Sequence, residues 1–359
     1  MKTGLSLEQL DAEITRRAQS KRDVVISTSK LEMTEGNELI LADREKMGIN
    51  KIAHDQIATH FDIPKKYYDK MKAEDPRLLA NNVNTWFRKY PAERMVRGLD
   101  GNARAFLSPA YMPMENEDFA VPVLTAAREM GLALMSSQLT ESRMYLKLVD
   151  QNVVRELEAI GGKFGDGQHK ILRKLAPAIT ASNSEVGHGA LSLLGGVYDG
   201  FCSNLATFGE RSVRKYHVGK RHAIADEDVY AILSDETRRK TDAATWAQVG
   251  DVVRAAFDRA KFDALCNKIS ETQTDVIEGD PIKVVKLTTS KFGLSDGTGT
   301  SILKHLIEGG SLTRFGLYNA VTRAAQDVED YDDATAMERH GAKIIELPKA
   351  EWRELAVAA

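Results

Sequence analysis

The sequence predicts an α+β fold, with an antiparallel, strongly twisted sheet, packed helices and a helix-rich C-terminal region. Three observations predict it. Between residues 94 and 218, short β-branched and apolar runs follow one another across turn signals, without a regular alternation of strand and helix. Asp100-Gly101, set between two such runs, is a hairpin signal, because this pair tolerates the positive φ that tight hairpin turns need. Beyond residue 225, apolar residues such as Trp246, Val249, Val253, Phe257 and Ala260 recur at helical spacing.

Taken in order, residues 5–20 predict an amphipathic helix with Leu7, Leu10 and Ile14 on one side. Val24–Thr28 and Glu38–Ala42 read as strands paired across a Glu35-Gly36-Asn37 turn. Ile52–Met71 reads as two helices parted at Phe61–Pro64, with Asp62 capping the second and Pro64 in its first turn. Arg94–Leu99 and Ala103–Ser108 form the hairpin, which Pro109 ends, and Asn116–Met130 is a helix turning Phe119, Val123, Leu124 and Ala127 inward. Leu132–Ser137 and Met144–Val149 are strands, and 151–174 holds a short helix and a Gly-rich basic loop, Gly161–Gly167. Ala176–Ser182 and Ala190–Asn204 supply further strands, continued by Val213–Val218. Helices follow at 226–240, Thr245–Thr272, Ile302–Glu308 and Leu317–Val328, with strands at Ile282–Thr289 and Lys343–Leu347. These elements group into an N-terminal helical and hairpin region (1–90), a central antiparallel sheet (91–225) and a helix-rich region (226–359) packed on that sheet.

Bulk properties narrow the function. A chain of 359 residues exceeds the usual size of one domain. No apolar run reaches the roughly 18 residues a membrane helix needs, and the polar residues alternating through Met1–Asp11 predict no secretory leader. Two cysteines, Cys202 and Cys266, fit a reducing, cytoplasmic setting in which both act as small buried hydrophobes, with a single bridge between them as the alternative. No Gly-x-x-x-x-Gly-Lys-Ser/Thr phosphate loop is present, which argues against an ATP-driven motor. The net charge of −3 is unlike that of a nonspecific nucleic-acid binder, yet the charge is unevenly placed. Residues 211–222 carry Arg211, Arg214, Lys215, Lys220 and Arg221 with no acid, whereas 327–333 carry Asp327, Glu329, Asp330, Asp332 and Asp333 with no base.

The candidate sites lie around those segments. Arg211, Arg214, Lys215, Lys220 and Arg221 are the residue types that contact phosphodiester backbones, and Tyr216 beside them suits base stacking. The same charges also suit a solvated, protected sheet edge. Ser182-Asn183-Ser184-Glu185 with Gly187 and Gly189 reads either as a compact backbone turn or as a ligand pocket in which Asn183 meets a phosphate or base edge. Glu185 with His188 and His222 gives an alternative catalytic set able to hold a divalent metal, although the spacing matches no zinc signature. Arg314 and Tyr318 stand four apart on one helix face, and either contact nucleic acid or brace the domain. Gly293–Thr300 reads as a turn, or as a phosphate cradle at a helix start. The acids at 327–333 suit a solvated helix end or a partner-facing patch.

Five stretches together carry a resemblance. They are Ala105-Phe-Leu-Ser-Pro-Ala-Tyr-Met-Pro-Met-Glu-Asn116, Ser182-Asn-Ser-Glu-Val-Gly-His-Gly-Ala-Leu191, Tyr198-Asp-Gly-Phe-Cys-Ser-Asn204, Arg221-His222 and Leu312-Thr-Arg-Phe-Gly-Leu-Tyr-Asn-Ala-Val321. In these, residues 95–325 resemble the phage- and plasmid-like proteins of the uncharacterised domain family numbered 932. The resemblance implies a phage, prophage or plasmid setting and transfers no catalytic residues. The combined expectation is a nucleic-acid-binding protein that binds or anneals single strands without ATP or any other cofactor, self-assembles, and stays off membranes. A metal-assisted nuclease or nucleotide-processing enzyme, and a phage assembly or host-interaction protein, are the alternatives.

Overall fold

The computed structural model describes residues 1–111, 113–160, 170–200, 203–215 and 235–357. Ser6 opens α1 (Leu7–Ser20) with a reciprocal capping box to Gln9. A first sheet follows, built from β1 (Arg22–Ser27), β2 (Glu32–Met33), β3 (Glu38–Ile40), β4 (Lys46–Ile49), β5 (Glu93–Leu99) and β6 (Asn102–Leu107) in the order β1-β5-β6-β4-β3-β2. Every pairing is antiparallel except β4 with β6. Between β4 and β5 the chain forms α2 (Lys51–His60), α3 (Lys65–Glu74) and α4 (Pro76–Lys89). These helices bury Ile57, Tyr68, Val83 and Phe87 against Met33, Leu39 and Phe106 of the sheet.

The second sheet takes β7 (Ala133–Leu139), β8 (Met144–Val149), β9 (Arg155–Ile160), β10 (Lys170–Asn183), β11 (Leu191–Asp199) and β12 (Asn204–Lys215), after α5 (Asn116–Met130). Its order is β12-β11-β10-β8-β7, and β9 pairs with the first half of β10. The long strand β10 changes partner at Pro177, whose carbonyl accepts from Asp150 N–H on the β8 side. N–H and C=O of one strand residue point the same way, so the donor that proline lacks is missing on that same side. One face of the sheet packs on α1, α5 and α6 (Asp235–Ala256) through Leu146, Leu148, Ile179, Leu191, Phe119 and Val249. The other core joins Leu175, Val197, Ala206 and Phe208 of the sheet to α7 (Arg259–Glu271), α8 (Pro281–Phe292), α9 (Asp296–Glu308), α10 (Arg314–Ala324), α11 (Tyr331–Glu346) and α12 (Lys349–Ala356). The architecture is α+β with antiparallel-dominant, twisted sheets and a helix-rich C-terminal region, as expected. Among the described residues, no helix is long and apolar enough to cross a membrane.

The β5–β6 hairpin and α5 match the sequence reading, with Asp100 (φ 52°) and Gly101 (φ 74°) forming the turn. Other elements differ. β1 pairs with β5 rather than β3, and the turn at 34–37 joins β3 to β2, a strand too short to show any alternation. The first sheet therefore runs through residue 107 and crosses the division expected at residue 90. Asp62 sits in the left-handed region (φ 51°) and makes no cap, and Pro64 takes the N-cap position of α3.

Strand β9 replaces the helix expected after residue 151; its more and less exposed residues alternate with period two. Ile282–Thr289 is helical, not extended. Asp280 caps α8, Pro281 starts it and Gly293 (φ 66°) ends it, while Val284, Val285, Thr288 and Thr289 bury on one helical face. The β-branched content of this segment imitates a strand, and the caps decide otherwise. Lys343–Leu347 likewise lies at the end of α11, burying Ile344 and Ile345. The run 245–272 is two helices, parted where Asp258 caps α7, and α10 stops at Ala324. The loop Gly161–Gly167, Val218 and the segment 226–234 lie outside the described residues.

His54 on α2 illustrates how burial enters the pH response. Its Nδ1 meets the Tyr68 hydroxyl at 2.8 Å, and burial, with the Lys72 charge, lowers its pKa to about 4. Below an unfolded value of about 6.5, the unfolded chain takes up a proton that the folded chain refuses until about pH 4. Stability therefore falls as pH drops through that window, by about 3 kcal/mol from this group. Urea denaturation at pH 7 and pH 4 is expected to show this loss reduced by that amount in His54→Gln. An unchanged pH dependence in the variant would refute it.

Candidate functional site

The segment richest in polar groups, Ser182–Ala190, forms the end of β10 and the turn into β11. Val186 inserts into a small apolar cluster with Ile52 of α2 and Ala105 and Leu107 of β6, and its carbonyl accepts from Gln56 Nε2 of α2 at 2.7 Å, so this turn lies against the first sheet beside α2. The polar side chains serve that joint. Asn183 is fully buried and donates to Met114 O (2.7 Å) and Asn116 Oδ1 (3.0 Å). Ser184 donates to Ser142 O (2.8 Å) and accepts from His188 N–H (3.0 Å). Gly187 (φ 72°) and Gly189 (φ 117°) hold left-handed conformations, and a Cβ at Gly189 would collide with the Arg143 guanidinium.

Glu185 has both carboxylate oxygens engaged: Oε2 accepts from Arg104 Nη1 at 2.8 Å and Oε1 from Asn116 N–H at 2.8 Å. Its carbonyl accepts from Arg97 Nη1 at 2.7 Å, and the same guanidinium reaches Asp23 Oδ2 through Nε (2.9 Å) and Glu115 Oε1 through Nη2 (2.7 Å). Arg97 is fully buried. Burial, the largest single influence, opposes ionisation of Glu115, but the Arg97 and Lys21 charges and the hydrogen bonds to Glu185 and Arg97 together outweigh it and hold the carboxyl below its ordinary range. The adjoining cavity, lined by Lys21, Arg104, Glu115, Asn116 and Glu185, measures about 20 Å³, room for one water-sized guest. Of the two readings open for this motif, the geometry is that of a backbone turn tied into an inter-sheet joint. Asn183 has no surface to offer a nucleic acid, which corrects that expectation. His188 is exposed beside the turn, while His222 lies outside the described residues. Among the described residues, no group of three or more His, Cys, Asp or Glu side chains is placed to hold a metal ion.

Two further expected contacts are corrected. Arg314 is buried and donates to Ile344 O (2.7 Å), Ile345 O (2.8 Å) and Leu347 O, with Asp275 Oδ2 at 3.2 Å. It ties α10 to the end of α11. Tyr318, at 1% exposure, packs in the same core beside Phe315. Neither can reach a polynucleotide in this fold. The acids at 327–333 divide their roles: Asp327 accepts from Ser301 and contacts His305 Nε2, Asp330 caps α11, and Asp332 accepts from Thr140 and Ser142 hydroxyls. Ser295 caps α9 where a phosphate cradle was an alternative, and its hydroxyl receives Thr298 N–H. Cys266 is a buried hydrophobe as expected, its thiol pushed up to about 11 by burial.

The basic segment is placed in part. The backbone of Arg211, Arg214 and Lys215 lies in β12, which ends the sheet and pairs with β11 at Leu194, Ser192 and Leu191 respectively. Tyr216, Lys220 and Arg221 lie outside the described residues. Sequence reading passed over a second basic surface, the outer face of α4, although Trp86, Lys89 and Tyr90 at helical spacing in a run without acids were a visible signal. It also passed over the buried Lys147–Glu338 pair, for which local sequence gives no signal. Compared with protein-family models, curated proteins and solved structures, the chain matches none.

Proposed function

We propose that this protein binds single-stranded nucleic acid through its phosphate backbone, as a phage- or prophage-type factor that needs no nucleotide cofactor and works as a homo-oligomer. The observation that carries the reading is the acid-free run 211–222, with five Lys or Arg residues and Tyr216, which enters from the terminal strand of a sheet. A terminal strand has one side unpaired within its sheet, so cations on it meet an approaching polyanion without displacing another strand. The inter-sheet joint gives that strand a fixed scaffold, because β11 connects the joint directly to β12.

The test is fluorescence anisotropy of labelled single- and double-stranded DNA and RNA at two salt concentrations. Micromolar or tighter binding to single strands, weakening steeply with salt, is the expected result. Arg214→Ala with Arg221→Ala should flatten the slope of log K against log salt by about 1.4, roughly 0.7 for each phosphate no longer neutralised. Absence of binding at low salt, or a folded double variant with unaltered affinity and slope, would remove the reading's support.

A further inference from the structure

The outer face of α4 carries a stacked aromatic pair held under a cation. The Trp86 and Tyr90 rings lie 5.7 Å apart, centroid to centroid, at an interplanar angle of 13°. Lys89 Nζ stands 5.4 Å from the Trp86 ring and 5.5 Å from the Tyr90 ring, within cation–π range of both. Helical spacing produces this arrangement. Leu79, Ala80, Val83, Asn84 and Phe87 bury on the sheet side, and Asn82, Trp86 and Lys89 form a stripe beside them, with Trp86 half-buried against the core and Lys89 exposed. Asn82 Oδ1 accepts from Trp86 Nε1 at 2.9 Å and fixes the indole, while Tyr90 is 56% exposed. The helix end is anchored as well, since Thr28 Oγ1 donates to Phe87 O and accepts from Ala92 N–H.

The helix and the residues that follow it carry charge of one sign. Residues 76–92 contain Arg77, Arg88 and Lys89 and no acid, in a chain whose net charge is −3. Arg77 lies 3.6 Å from Glu35, whereas Arg88 and Lys89 have no carboxylate partner among the described residues. Exposed Ser29 and Lys30 follow Thr28 beside the helix end. A preordered aromatic stack, with Tyr90 exposed and Trp86 half-buried behind it and cations alongside, matches the chemistry of an unstacked base attached to a phosphate backbone. A duplex hides its base faces and cannot use the stack.

We infer that the α4 face, through Trp86, Tyr90, Arg88 and Lys89, is a stacking platform for single-stranded nucleic acid. The inference rests on the proposed binding function and places a second contact surface on the first sheet, away from β12. A strand that met both surfaces would gain affinity from their linkage, and would gain it only when long enough to span them.

The test uses the full chain, with a labelled oligothymidylate as probe and anisotropy as readout. Trp86→Ala with Tyr90→Ala is expected to weaken binding at least tenfold, in line with base stacking on an aromatic ring. Trp86→Phe with Tyr90→Phe, which retains two rings, should keep most of the affinity. Tyr90→Ala alone, at the exposed ring, serves as the second variant should loss of Trp86 disturb folding, and circular dichroism checks each. Quenching of wild-type tryptophan fluorescence by unlabelled oligothymidylate should fall strongly in Trp86→Phe. If wild type binds and the folded variants keep its affinity, the platform is refuted while the binding function stands. If wild type does not bind at all, both fall together.

Discussion

Arg97→Met is expected to cost about 3–5 kcal/mol of stability, the range for breaking a buried charge network by removing one partner. Three acceptors from separate parts of the chain converge on this guanidinium: the Asp23 carboxylate on β1, the Glu115 carboxylate at the start of α5, and the Glu185 carbonyl in the β10–β11 turn. Methionine fills much of the volume but supplies no donor, so two carboxylates and a carbonyl lose their shared partner at a joint with little room for water. Arg97→Lys should recover little, because one ammonium cannot present donors in the planar fork that reaches three directions. Urea denaturation of the three proteins measures this directly. A loss under 1 kcal/mol for Arg97→Met would show that the acceptors are solvated in the folded chain, and the joint would then need another explanation. The consequence for function is that Glu185, a candidate acid or metal ligand from sequence, is held as an acceptor by Arg104 and Asn116 N–H within the same network.

How much of this was legible depends on the distance over which each feature is encoded. The Asp100-Gly101 hairpin and α5 are local, set by turn residues and by apolar spacing within a few turns, and both are legible in the sequence. The first sheet was only half legible, because pairing β1 with β5 closes across three intervening helices. Strand content misled in α8, where valine, isoleucine and threonine suggest extension but Asp280, Pro281 and Gly293 mark a helix at both ends. The polar density of Ser182–Glu185 stands out as unusual; its purpose does not, since Arg97 and Arg104 lie 88 and 81 positions away. Burial of Arg314 was similarly invisible, because its acceptors are carbonyls about thirty residues on, at the end of another helix. In contrast, the Trp86–Lys89–Tyr90 stripe is entirely local and was available from spacing alone.

The Lys147–Glu338 pair gives the second large effect and separates charge from packing. Lys147 on β8 donates from Nζ to Glu338 Oε2 of α11 at 2.7 Å, with both side chains essentially inaccessible. Burial lowers the pKa of the ammonium against the opposing pull of Glu338, and the Tyr331 ring, 4.6 Å away, adds a cation–π contact. Lys147→Met alone leaves Glu338 charged and buried, which should cost about 3–5 kcal/mol. Adding Glu338→Leu removes the stranded carboxylate, and apolar replacement of a buried pair is commonly neutral or stabilising. The double variant should therefore recover most or all of the loss, giving a coupling energy of several kcal/mol in a double-mutant cycle. The position of this pair makes the result informative beyond its size. Nearby, Ser136 meets the Tyr331 hydroxyl at 2.6 Å, and Asp332 accepts from Ser142, so α11 is held to β7–β8 by several polar contacts. If the double variant stays as unstable as the single one, the missing hydrogen bond and packing of Lys147 outweigh the stranded charge. If it recovers, the ion pair is replaceable for stability, and the aromatic and hydroxyl contacts suffice to seat the C-terminal helices on the sheet that carries β12.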